Sequence, residues 1–157
     1  MSLRTAGVTL TIVAVGALAA ACQRPLGLSD ADETAIRASV DSFAAQALRR
    51  DWDGNVALFH AQGTMMPPNQ PAVTGHDAIL AWMKAYPPIT AFETGVDEVA
   101  GGGVYAYVQG HYAVMVMPPG ATAAIADTGK FLTIHVRVAD GSWPIMFDMF
   151  NSNKPAM

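Results

Sequence analysis

An aspartate at position 148 stands in the run Ile145-Met146-Phe147-Asp148-Met149-Phe150, where every neighbour is apolar. A carboxyl in such company is costly to bury unless it is paired, hydrogen-bonded or protonated. Two roles fit it: a fold-holding acid satisfied by helix or loop donors, or a cavity acid that meets a ligand. In the second role burial raises its pKa, and a nearby cation lowers it again. His111 and Gln109 are two residues apart on another apolar run, Val104 to Met117, with Tyr107 two residues before them. His111 offers acid/base work or a ligand contact, and Gln109 offers a donor and an acceptor without charge. Their plain alternatives are a satisfied strand histidine and a solvent-facing glutamine. Trp52, Trp82, Tyr107 and Met66 have the size and polarisability to wall a small apolar pocket, or simply to fill a core.

Other chemistries find little material. The histidines, His60, His76, His111 and His135, are scattered, with no H-x-x-x-H spacing and one cysteine in the chain, so no metal and no cofactor is expected. There is no G-x-S-x-G elbow and no phosphate-cradling glycine loop; Gly101-Gly102-Gly103 reads as a hairpin turn. A net charge of -4 without a basic run argues against a nucleic-acid partner.

The single cysteine, Cys22, follows a leader with Arg4 as its positive end, an apolar stretch from about Val8 to Leu18, and Ala19-Ala20-Ala21. The stretch is short for a membrane span. Leu18-Ala19-Ala20-Ala21-Cys22 resembles a bacterial lipobox, which implies cleavage before Cys22, lipidation of that residue, and an exported protein held at the cell envelope facing the periplasm or exterior. It departs from the usual pattern in having Ala19 three positions before the cysteine. Residues 1–21 are then a signal peptide, 22–28 a tether, and 29–153 one folded domain, an ordinary size for a single core.

Positioning elements follow from periodicity. Ser29 and Asp32 form a capping box ahead of Ile36, Val40, Phe43 and Ala47 at helical spacing. A short helical piece is expected over 55–60. Thr74-Gly75-His76-Asp77 reads as a second capping box for a helix carrying Ile79, Leu80, Trp82 and Met83 and stopped by Pro87-Pro88. Strands are expected over 90–99, 104–117, 130–139 and 143–151, with a loop over 118–128 and a two-residue Asp140-Gly141 turn. Three helices ahead of an antiparallel sheet is an α+β order, and a sheet curled around helices leaves a cone-shaped cavity. In the last strand, period-2 alternation puts Met146, Asp148 and Phe150 on one face and Ile145, Phe147 and Met149 on the other. Both faces are apolar, so both call for cover, one by helices and the other by a second subunit.

Arg50-Asp51-Trp52-Asp53, Met66-Pro67-Pro68, Gly75-His76-Asp77-Ala78-Ile79, Tyr107-Val108-Gln109-Gly110, and the closing pattern of Gly129-Lys130, Asp140-Gly141-Ser142-Trp143 and Asp148-Met149-Phe150-Asn151 occur in an order that resembles the SnoaL-like, DUF4440-type branch of the nuclear-transport-factor-2-like superfamily, home also of the ketosteroid isomerases. The resemblance implies a cone-shaped NTF2-like fold of three helices on a curved antiparallel sheet. It also implies that Tyr107, Gln109 and His111 point inward with Ile134, Val136, Asp148 and Phe150, leaving His135 outside. The isomerase mechanism does not carry over, because the first-helix tyrosine position falls on Phe43 and the base position on Pro67, and neither moves a proton. The expected function is binding of a small, partly apolar molecule. The other readings are an isomerase- or cyclase-type enzyme using Asp148 with His111, and an interaction module that forms a homodimer through Tyr112, Val114, Ile145, Phe147 and Met149.

Overall fold

The computed structural model describes residues 27–155. The expected signal peptide, Cys22 and most of the expected tether therefore lie outside the described residues. Helix α1 (Asp30–Arg49) is capped by Ser29, whose side chain accepts from the Asp32 N–H while Asp32 accepts from the Ser29 N–H. Ile36, Val40, Ala44 and Ala47 are its buried stripe, and Arg50 ends it in the left-handed conformation. Helix α2 (Trp52–Ala57) starts earlier than expected because Asp51 caps it, accepting from the Gly54 N–H. Leu58 closes that helix, and strand β1 (Phe59–Met66) begins at once, so the helical reading of 55–60 was three residues late.

A two-residue strand β2 (Val73–Thr74) leads into α3 (His76–Ala85). The second capping box does not form. Gly75 is the N-cap, and the Thr74 hydroxyl is engaged instead with that of Thr64 across the β1–β2 pair, at 2.9 Å. Three long strands follow, β3 (Ile89–Gly102), β4 (Tyr105–Val116) and β5 (Ile125–Val136), and then β6 (Ile145–Ser152). The loop expected over 118–128 is shorter, since the β4–β5 ladder runs without a break out to Val116 opposite Ile125.

The six strands form one sheet in the order β2-β1-β6-β5-β4-β3. All neighbours are antiparallel except β1 and β6, which run parallel, so β6 is inserted between β1 and β5. The β5–β6 turn is also not the two-residue type. The Gly141 N–H donates to the Val138 carbonyl, and only Gly141 takes positive φ, which is a type I turn closed by a left-handed glycine.

The helices cover one face of the curled sheet, and two apolar clusters fill the space between. One joins α2 and α3 to β1 and β6 through Trp52, Phe59, Met65, Ile79 and Ile145. The other joins α1 to β4 and the hairpin through Ile36, Val40, Val108 and Trp143. Trp143 is pinned there. Its indole N–H donates to Asp32 at 2.9 Å, and the Arg137 guanidinium, itself paired with Asp32, lies 4.6 Å from the indole centroid. The bonds from Trp143 and Ser29 hold the Asp32 carboxyl well below the usual carboxylate range. Among the described residues, no helix is long and apolar enough to cross a membrane.

Candidate functional site

The concave face of the sheet and the three helices line a cavity of about 120 Å³ that opens to solvent. Its walls are apolar and largely aromatic: Phe43 from α1, Trp52 from α2, Trp82 from α3, Phe92 from β3, Tyr112 from β4 and Phe150 from β6. The rings touch in series. Trp82 and Phe150 meet edge-on at 6.2 Å between centroids, as do Phe150 with Tyr112 at 6.4 Å and Tyr112 with Phe92 at 6.5 Å. Two glycines make room for them. A Cβ on Gly110 would collide with the Phe131 ring, and one on Gly129 with the Tyr112 ring.

Asp148 reaches the buried end. It is 7% exposed and lies between Met65 on β1 and Thr133 on β5, its partners in register. No hydrogen bond or ion pair reaches its carboxyl from any described residue. Burial alone therefore sets its acidity, and pushes its pKa up to about 7. Near neutral pH the group is divided between acid and carboxylate.

Behind this end runs a short polar chain that sequence reasoning placed outside. His135 is wholly buried; its Nδ1 is 2.9 Å from the Trp143 carbonyl and its Nε2 is 3.0 Å from the Thr133 hydroxyl. A carbonyl only accepts, so Nδ1 carries the proton. Desolvation lowers the pKa of His135 and keeps the ring neutral, so Nε2 accepts and the Thr133 O–H donates to it.

Of the residues singled out from sequence, Asp148, Trp52 and Trp82 line the cavity. Met66 does not; its neighbour Met65 takes the inward place, 1% exposed. Tyr107, Gln109 and His111 correct the expectation more deeply, because they lie on the convex face. There His111 Nδ1 pairs with Asp97 at 2.9 Å, with both side chains exposed, and Glu98 beside Tyr107 raises the pKa of its phenol. Ala106, Val108, Tyr112 and Val114 point inward instead. The same inversion affects β5, where Thr133 and His135 are buried while Leu132 is exposed. An Asp148–His111 acid/base pair is therefore excluded by geometry. Tyr112, Val114 and Ile145 likewise belong to the cavity and not to a dimer face; Phe147 and Met149 remain outside. Among the described residues, no group of three His, Cys, Asp or Glu is placed to hold a metal ion.

Helices clasped by a curled sheet, with one buried acid in an aromatic cone, define an NTF2-like domain. The profile of the SnoaL-like domain family matches residues 36–143, so the chain belongs to the SnoaL-like family. Solved structures agree on the fold. A ketosteroid isomerase-like protein from Erwinia carotovora atroseptica is similar at a TM-score of 0.74 and 17% identity, over 81% of this chain and 100% of that one. A conserved protein from Planctomyces limnophilus is similar at 0.70 and 20% identity, over 79% and 99%. An NTF2-like protein with a cystatin-like fold from Novosphingobium aromaticivorans is similar at 0.69 and 16% identity, over 80% and 84%. No curated protein matches the chain.

Proposed function

We propose that the domain binds a small, mainly apolar molecule in the cone, with Asp148 as its deepest polar contact, and that lipidated Cys22 holds it at the cell envelope, facing the periplasm or exterior. The observation that carries the binding reading is the unpartnered Asp148 carboxyl at the end of an apolar cavity. A structural acid would be met by donors, since buried polar groups almost always are. This one is met only by the cavity.

Trp52 and Trp82 report on the test, because both line the cavity. Titration of the full-length chain with toluene should change their fluorescence with saturation. The same titration of a Trp82→Phe variant should lose part of that change. A flat response, with no heat of binding by calorimetry, would refute the reading.

The second reading, isomerase- or cyclase-type catalysis, draws on the same carboxyl. An acid with a pKa near 7 can take and return a proton at neutral pH. Its neighbour in such chemistry is Thr133, not His111. A ligand retained by Asp148→Asn but turned over only by the unsubstituted protein would favour the enzyme.

A further inference from the structure

We propose, on the reading that the cone is a ligand site, that its buried end selects an apolar amine, whose ammonium group sits against the Asp148 carboxylate and the Thr133 hydroxyl oxygen while its body lies among the rings. The polarity of the hydrogen bonds carries this. The Thr133 proton is committed to His135, whose own proton is committed to the Trp143 carbonyl, so Thr133 has only lone pairs left for a ligand. An ionised Asp148 also only accepts. Two acceptors that are partners in register ask for a group with several donors.

The charges around the cavity point the same way. No Lys, Arg or His is among its lining residues. From α1, α2 and β1 nothing titratable faces Asp148 across the cavity; Tyr86 beyond α3 and Tyr112 on β4 are the other titratable lining groups, with neutral His135 behind Thr133. A second acid, Asp127, stands behind Tyr112, accepts its hydroxyl proton at 3.5 Å, and raises the pKa of both tyrosines beyond what burial does. An anionic ligand would meet the Asp148 carboxyl, with Asp127 behind Tyr112, and no cation in the lining. An ammonium meets a carboxylate and an acceptor hydroxyl, and the aromatic lining, Trp52 and Trp82 included, suits the apolar body that carries it. The volume suits one ring, being near the ~150 Å³ cavity that holds benzene.

An isosteric series separates this inference from the reading beneath it: benzylamine, benzyl alcohol and toluene, titrated into the full-length chain and followed by tryptophan fluorescence and calorimetry. At pH 8 benzylamine should bind roughly tenfold or more tighter than toluene, as a charge-assisted pair would give. Its affinity should fall by about tenfold per unit as pH drops below about 7, because protonating Asp148 removes the partner, whereas toluene should not respond to pH. Asp148→Asn should abolish the preference and keep toluene binding. Equal binding of all three at pH 8, or a preference that survives Asp148→Asn, overturns the amine inference and leaves the cavity reading standing. Binding of none overturns the cavity reading itself. The pH series needs no variant, so it decides the matter even if Asp148→Asn folds poorly.

Discussion

The Phe131 ring of β5 occupies the space that a side chain on Gly110 of β4, its partner in register, would fill. The ring lines the cone in this place because its neighbour has no Cβ.

Gly110→Ala should therefore cost stability without touching any polar group. The new methyl would meet the Gly95 carbonyl as well as the ring, and backbone does not yield as a ring does. Overpacking of this kind costs about 1–3 kcal/mol. Calorimetry should show a melting temperature lower by several degrees; an unchanged melting point would mean that the ring moves freely.

Asp148 should make stability depend on pH in a predictable direction. Its folded pKa lies above the unfolded value of 3.8, at about 7, so the native state holds the proton more tightly. The associated stability is complete below about pH 4 and is lost as pH rises through 7. Asp148→Asn removes that loss. It should be more stable than the parent at pH 8, by up to about 4 kcal/mol for a shift of this size, and close to it at pH 4. Denaturant melts at the two pH values check this; a variant less stable at pH 8 would mean that unseen donors hold the carboxylate.

Homodimerisation through the convex face remains the expectation, with its membership revised. Phe147 and Met149 are 40% and 47% exposed there, with Leu132 of β5 beside Met149. A soluble monomer seldom leaves such a patch wet. Sedimentation should show a dimer at micromolar concentration, converted to monomer by Phe147→Lys; a monomeric parent would count against it.

Cys22→Ser, expressed in a bacterial host, should release the protein from the membrane fraction and end palmitate labelling. Fractionation and labelling that match the parent would remove the lipid anchor.

Sequence made some of this legible for physical reasons. The Ser29–Asp32 capping box and the four-residue spacing of Ile36 and Val40 are local signals, and α1 formed on them. Asp148 was conspicuous because a charge in an apolar strand needs a reason. The inward faces of β4 and β5 were not legible, because both faces of each strand carry apolar residues and a one-residue slip exchanges them. The register irregularity at Met146 does so within β6, turning both Ile145 and Asp148 inward where strict alternation separates them. Thr133 and His135 were missed for a related reason: polar residues alternating with Leu132 and Ile134 read as the wet face. The sign that could have found them is their own spacing, two apart on one face, close enough to bond each other and hide both polar tips.

Because β6 lies between β1 and β5, the chain must leave a gap in its sheet until residues 145–152 arrive to fill it. A nascent or truncated chain ending at the Asp140-Gly141 turn has every helix and five strands, yet presents two unpaired edges and no floor to the cone. The carboxyl that gives the cavity its chemistry thus enters with the strand that closes the sheet, and folding to completion and acquiring the site are one event.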